Sequence, residues 1–235
     1  MMEFWSVLVP LLTAHILTDF FLQTREMVTA KEKNNLMTFW SYLHAGIAGV
    51  TAYLLVASWT YHYIFWVTAI SHLFIDAWKN SRKNTHSLPL FFIDQFMHLL
   101  IIVGLYFWIT GWGANREFIT GLPMREVSII GLGLLFVTRP SSVIIQKLMK
   151  QWNYNSMTME LPGAGHYIGI LERILLYVFV LFNQFSAIGL LIAAKSILRY
   201  GSKVQAREET EYILVGTLLS FTIAVLSGLI IKSLL

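Results

Sequence analysis

The sequence predicts an all-α protein, a polytopic bundle of about eight transmembrane helices with both termini outside the cytoplasm. Three observations lead to this fold class. Of the 235 residues, 56% are hydrophobic and only 13% are charged, whereas about a quarter of a typical soluble domain is charged. The length allows about eight spans of roughly twenty residues with short connections. Basic residues are concentrated in alternate connections, as in membrane proteins that keep positive loops in the cytoplasm.

The composition also excludes several kinds of site. There is no cysteine, which excludes thiolate metal ligands, disulfides and cysteine nucleophiles. The net charge is +4, and in a membrane protein this excess reports the orientation of the loops rather than nucleic-acid binding. We therefore expect the lipid bilayer, and no nucleic acid, as a partner.

Apolar segments of helical length recur along the whole chain. They lie near residues 3–23, 37–58, 61–79, 89–111, 126–147, 167–182, 185–200 and 211–234. The first has no basic start and carries His15 and Asp19, so we expect a retained helix rather than a signal peptide. The sixth and seventh are short, and together they are too long for one crossing. The polar pair Asn183-Gln184 predicts a turn between two short helices, and a broken or re-entrant pair is the alternative.

The orientation follows from the basic residues. Those after the first, third, fifth and seventh segments are Arg25, Lys31, Lys33, Lys79, Arg82, Lys83, Lys147, Lys150, Arg199, Lys203 and Arg207. The opposite side has only Arg116, Arg125 and Lys232. Because positive loops stay in the cytoplasm, both termini are predicted on the other side of the membrane.

Ionisable residues inside the first four segments form a repeated pattern. A histidine and an aspartate stand four residues apart in three segments, which puts both side chains on one helical face, and the second segment adds one histidine. The seven residues are His15, Asp19, His44, His72, Asp76, Asp94 and His98. At 1.5 Å per residue, all lie roughly 5–15 Å inside the cytoplasmic boundary, with the carboxylates nearer the cytoplasm. His62 is predicted at the opposite interface and His86 in a solvated loop.

The favoured interpretation of this layer is a metal site built from all seven residues. The alternatives are a proton or ion relay and a buried hydrogen-bond network that only holds the bundle together. An isolated aspartate at a helix centre costs roughly 2.5–3.5 kcal/mol on insertion scales, and a divalent ion offsets that cost. Imidazole and carboxylate suit zinc best, with iron or manganese as alternatives. Seven ligands exceed the three or four that one zinc ion needs, so the site holds two ions, or one ion with carboxylates that orient the histidines. One of Asp19, Asp76 and Asp94 is the expected general base.

A second polar group lies in the other half of the chain. It consists of Arg139, Glu172, Arg173, Lys195, Arg199 and Glu211. In one interpretation, Arg139, Arg173 and Lys195 form a basic lining that binds a phosphate or an anionic lipid headgroup. In the other, Glu172 or Glu211 pairs with an arginine or with Lys195. Arg139 also precedes Pro140, which predicts a kink in the fifth helix.

Several stretches resemble a known family. They are HILTDFFLQ, LHA, SHLFIDAWK and FFIDQFMHLL in the first half and LERILLY, IGLLIAAKSILRYG and EYILVGTLLSF in the second. With these motifs the chain resembles the uncharacterised bacterial membrane protein family called domain of unknown function 3307. The resemblance implies a multi-pass protein of the bacterial inner membrane, but no reaction. The His/Asp pattern is also loosely similar to that of predicted membrane-bound metal-dependent hydrolases.

The sequence thus predicts two halves of one integrated membrane domain. Residues 1–111 form the metal-site bundle, and residues 112–235 form a helical half with the basic lining. The leading hypothesis is a metal-dependent hydrolase acting on a lipid-borne ester or phosphoester from the cytoplasmic leaflet. The alternatives are a proton- or cation-coupled transporter or channel that uses the layer as a relay, or a metal-stabilised membrane scaffold. The outer halves of the first four segments hold no interior charge, which disfavours a polar path across the membrane.

Overall fold

The computed structural model describes residues 2–33, 38–82, 87–111, 125–152, 164–200 and 207–235. Every regular element in these ranges is helical, which confirms the predicted all-α class. The helices are α1 (Met2–Ile16, continued by a π-helical turn, Leu17–Leu22), α2 (Arg25–Lys33), α3 (Phe39–Val56), α4 (Tyr63–Asn80), α5 (Leu88–Thr110), α6 (Arg125–Val137), α7 (Arg139–Met149), α8 (Ala164–Leu181), α9 (Phe185–Tyr200) and α10 (Arg207–Leu234).

Each of the eight predicted apolar segments contains a helix within the described residues. Six stretches in the described ranges are long and apolar enough to cross a membrane, namely Trp5–Leu22, Phe39–Val56, Leu88–Thr110, Arg125–Trp152, Ala164–Leu181 and Thr210–Leu234. The chain is therefore a multi-pass membrane protein. Two segments fall outside this set, because polar residues such as Asp76 and Lys79 lower the hydropathy of α4 and because the apolar part of α9, Phe185–Ile197, is short.

The count of eight spans and the placement of the termini stay predictions. Of the basic residues that set the predicted orientation, Lys83, Arg116 and Lys203 lie outside the described residues. The predicted division of the chain after residue 111 falls at the edge of 112–124, which also lies outside them. The chain divides into two compact units, Met1–Leu132 and Gly133–Leu235.

In the first unit, α1, α3, α4 and α5 pack side by side, with α3 and α5 each against both α1 and α4. Helix α2 packs against α3. The apolar core is formed by Val7, Leu11, Ala14, Ala52, Val56, Ile64, Ile102, Leu105 and Ile109. This core occupies the end of the bundle where α1 begins and α5 ends. The polar layer therefore lies at the opposite end, near the connections from α1 to α3 and from α4 to α5.

Close packing of α3 on α4 depends on a glycine. A Cβ atom added at Gly49 would lie 2.7 Å from the carbonyl oxygen of Phe65 and 3.1 Å from the Cβ of Ala69. Small residues let transmembrane helices approach closely, and van der Waals packing then replaces the hydrophobic driving force that lipid does not provide. This approach brings His44 on α3 close to His72 on α4, with ring centroids 5.1 Å apart.

In the second unit, α8 packs against α10, α9 and α7. Two predicted interruptions are confirmed. The helix that spans residues 125–149 breaks at Thr138, next to Pro140, as the predicted kink requires. Helix α8 ends at Leu181 and α9 begins at Phe185, so a turn separates them at Asn183, whose φ of 58° is left-handed.

Candidate metal centre

The four bundle helices of the first unit bring seven histidines and aspartates together. Helix α1 carries His15, its π-helical continuation carries Asp19, and α3 carries His44. Helix α4 carries His72 and Asp76, and α5 carries Asp94 and His98. All four imidazoles and Asp94 are buried, with exposed fractions of 9% or less. Three groups of these side chains each place their ligand atoms within 4.8 Å of one another.

Asp19 links all four helices. Its Oδ1 atom accepts a hydrogen bond from Nε2 of His72 over 2.8 Å and lies 3.5 Å from Nε2 of His44. Its Oδ2 atom lies 3.7 Å from Nδ1 of His15 and accepts a longer bond, 3.5 Å, from Gln95. Asp19 stands in the π-helical turn, and such turns are frequent at functional sites because they redirect side chains. The turn thus aims this carboxylate at the centre of the bundle.

Two lysines complete the layer. Lys31 donates to Oδ2 of Asp76, and its side chain is only 4% exposed. Lys79 donates to Oδ2 of Asp94 over 2.7 Å. Sequence reasoning treated both lysines only as loop charges that set the orientation. The sequence signal for Lys31 is its spacing of four residues from Met27, which puts both side chains on one face of helix α2, and the structure buries that face.

Two carboxylate oxygens, from Asp76 and Asp94, and one imidazole nitrogen, from His98, border an open position. Oδ1 of Asp94 lies 3.7 Å from Nε2 of His98, and Oδ1 of Asp76 lies 4.0 Å from the same nitrogen. In the described part of the chain, Oδ1 of Asp94 and Nε2 of His98 are buried and have no hydrogen-bond partner. A buried polar group without a partner costs about 1–3 kcal/mol. We refer to the space between these three atoms as the open position.

The ligand spacing fits a metal ion. Ligand atoms around a zinc ion, with bonds of about 2.0–2.2 Å, lie roughly 3.3 Å apart, so a small inward shift of the side chains would close the open position around an ion. On the deeper side, His15, His72 and His98 form a second candidate group. The rings of His72 and His98 lie 4.0 Å apart, and those of His15 and His98 lie 5.2 Å apart. His98 belongs to both groups.

A small cavity of about 20 Å³ adjoins the imidazoles. His15, His72 and His98 line it, together with residues that include Thr68 and Ala52. The hydroxyl of Thr68 is buried, with no hydrogen-bond partner among the residues that the structure describes. This volume suits about one water molecule, and the site is polar enough to hold it.

The sequence placed two further histidines, His62 and His86, outside the layer. His62 is exposed and precedes α4, ten residues before His72. His86 lies outside the described residues. Within the described residues, the layer of seven therefore forms without His62.

The second polar group forms its own contacts within the second unit. Arg173 is 3% exposed and donates to the carbonyl oxygens of Val137 and Thr138 and to the hydroxyls of Ser142 and Ser220. Its guanidinium thus binds two carbonyl groups at the point where the helix breaks.

Lys195 pairs with Glu172 over 2.5 Å and lies 5.4 Å from the ring centroid of Phe221. This is the internal pairing given above as the second interpretation. Arg139 begins α7 directly after the break. Substrate binding by Arg139, Arg173 and Lys195 stays a prediction, and for Arg173 and Lys195 it would require these contacts to be exchanged.

Comparison with known proteins identifies one family. The family model described as "Protein of unknown function (DUF3307)" matches residues 7–122. This range contains the four histidines and three aspartates of the candidate site, together with Lys31 and Lys79. The similar motifs noted above in the second half lie outside the matched range. No curated protein and no solved structure matches the chain. Through residues 7–122, the chain belongs to the DUF3307 family of proteins of unknown function.

Proposed function

We propose that this protein is a membrane-embedded, metal-dependent hydrolase that acts on a lipid-borne ester or phosphoester reached from the cytoplasmic leaflet. The observation that carries the proposal is the open position, where two buried ligand atoms, Oδ1 of Asp94 and Nε2 of His98, have no partner in the described ranges. A divalent ion satisfies both atoms and offsets the charge of the carboxylates. Zinc is the proposed ion, with iron and manganese as alternatives.

The chemistry follows from such an ion. A bound divalent ion activates water as a nucleophile near neutral pH and polarises the carbonyl or phosphoryl oxygen of an ester. Asp19 is the proposed general base, because His72 and Gln95 hold it, whereas a lysine occupies one oxygen of each of the other two carboxylates. His15, His44 and His72 supply further ligands or orient the carboxylates.

Access from the lipid supports a membrane-borne substrate. The side chains of Asp19 and Asp76 retain 11–12% exposure, and that of Lys79 retains 26%, so the carboxylate end of the layer is not sealed. Large apolar side chains on α4 and α5 are exposed beside this end, among them Phe74 and Phe96. In a membrane such side chains face lipid, and this supports access to the layer by a substrate held in the bilayer.

A transporter is the second candidate. The cavity beyond the imidazoles carries the hydroxyl of Thr68, which extends the polar layer deeper into the bundle and suits a proton relay. The apolar core includes Leu11, Ile102 and Leu105, which themselves line that cavity, and this core closes the path in this conformation.

The test uses the full-length protein purified in detergent. Metal content is measured by elemental analysis, and hydrolysis is measured with a fluorogenic acyl ester and with phosphatidic acid in mixed micelles. We expect bound metal and metal-dependent hydrolysis in the wild type, and loss of both in His98→Ala. The control variant His62→Ala retains both, because His62 is exposed and lies outside the layer.

Other outcomes separate the candidates. A folded wild type that binds no metal would overturn the proposal. Proton flux into proteoliposomes that His98→Ala abolishes, without hydrolysis of either substrate, would favour the transporter.

A further inference from the structure

Two lysines hold the carboxylates that border the open position. Lys31 donates to Oδ2 of Asp76, and Lys79 donates to Oδ2 of Asp94. The other oxygen of each carboxylate, Oδ1, faces Nε2 of His98 at 4.0 Å and 3.7 Å respectively. Each aspartate therefore bridges an ammonium group on one side and the open position on the other.

This arrangement resembles a two-metal site in which ammonium groups, rather than a second metal ion, hold the outer carboxylate oxygens. In two-metal hydrolases the ions lie about 3.5–4 Å apart, close enough for one carboxylate to hold both ions through its two oxygens. Here an ammonium group takes the outer oxygen of both Asp76 and Asp94. The two ammonium groups together carry the charge of one divalent ion.

The charge balance of the layer also favours one bound ion over two. Among the described residues, three carboxylates (Asp19, Asp76 and Asp94) and two lysines leave one net negative charge when the imidazoles are neutral. One divalent ion with a bound hydroxide makes the layer neutral. A second divalent ion would leave a large positive charge away from water, which is costly because charges are stable in a low dielectric only when they are paired.

We propose that Lys31 and Lys79 take the place of a second metal ion, so that the centre binds a single divalent ion at the open position. This inference rests on the proposed metal centre and specifies its stoichiometry. It also distinguishes between the two metal arrangements that the sequence left open. Lys31 and Lys79 are positioning residues, since they act on the ion through Asp76 and Asp94.

The test compares metal stoichiometry in purified full-length variants saturated with Zn²⁺. The wild type is expected to bind one ion per chain, and the double variant Lys31→Met, Lys79→Met is expected to bind two, because both outer oxygens lose their ammonium partners. The matched control, Lys31→Arg with Lys79→Arg, keeps the charges and stays at one ion. Loading with Mn²⁺ gives a second readout, since electron paramagnetic resonance distinguishes an isolated ion from an exchange-coupled pair.

If the double variant does not fold, the single variant Lys79→Met replaces it in the stoichiometry measurement. The Lys79 side chain is 26% exposed, so its loss is tolerated better, and this variant also gains a second Zn²⁺ with weaker affinity. Two ions in the wild type, or one ion in every lysine variant, would overturn the inference and leave the proposed metal centre in place. No ion in the wild type would instead overturn the proposed function itself.

Discussion

Lys31 on α2 donates to Asp76 on α4, 45 residues away along the chain, and both residues are buried. A short amphipathic helix after the first span would ordinarily lie on the membrane surface with its lysine in water. Here α2 turns its Met27 and Lys31 face toward the bundle. The ion pair therefore ties the connection between the first two spans to the carboxylates of the candidate site.

The first prediction concerns this ion pair. Lys31→Met is expected to destabilise the metal-free protein by about 3–5 kcal/mol, because it leaves a buried carboxylate without its partner. Unfolding in detergent with a chelator present measures the change. Arg25→Met on the same helix is the control; Arg25 is exposed, and its loss is expected to change stability by no more than about 0.5 kcal/mol.

A double variant separates the pair from local packing. Lys31→Met combined with Asp76→Leu removes both charges and is expected to be more stable than Lys31→Met alone, since neither charge is left unpaired. Equal stability of Lys31→Met and Arg25→Met would show that the buried pair contributes nothing.

The second prediction concerns the contact between α3 and α4. Gly49→Ala is expected to cost about 1–3 kcal/mol, because its Cβ would lie 2.7 Å from a backbone oxygen that cannot move independently. Gly46→Ala on the same helix is the matched control, since no atom lies within 4 Å of its added Cβ. It should leave stability unchanged or raise it by up to about 1 kcal/mol.

The α3–α4 contact also shapes the site. Because Gly49 stands five residues after His44, separating α3 from α4 moves His44 away from His72 and Asp19. Gly49→Ala is therefore expected to weaken metal binding as well as the fold, and isothermal titration with Zn²⁺ measures the affinity. Unchanged stability and affinity in both glycine variants would contradict the close packing described above.

The third prediction concerns Arg173 in the second unit. Arg173→Lys is expected to destabilise the protein by about 2–4 kcal/mol, because an ammonium group cannot reproduce the four hydrogen bonds of the guanidinium and leaves buried acceptors unpaired. Thermal unfolding measures the loss. Lys150→Met, at an exposed position in the same unit, is the control.

Arg173→Lys also tests the basic lining that the sequence predicts. If Arg173 bound an anionic substrate instead, Arg173→Lys would raise the KM of hydrolysis and leave thermal stability unchanged. The contacts to Val137 and Thr138 favour loss of stability as the dominant effect.

Much of this architecture can be read from local sequence. Apolar segments of sufficient length predict the helices because each residue rises 1.5 Å and the bilayer core has a set thickness. Pro140 predicts the helix break, because proline removes a backbone donor and clashes with the preceding turn. The four-residue spacing of His15 and Asp19, or of Asp94 and His98, puts each pair on one face, since that relation depends on a single helix.

The sequence by itself determined that the helices exist, that they are apolar enough for a membrane, and which residues share a helical face. Only the tertiary structure decided which faces meet, and hence that Lys31 and Lys79 bind the aspartates and that one position beside His98 stays open. The physical reason is the distance along the chain over which each interaction acts. Helix formation and side-chain direction depend on neighbours within a few residues, whereas a buried charge selects its partner across helices that only packing brings together.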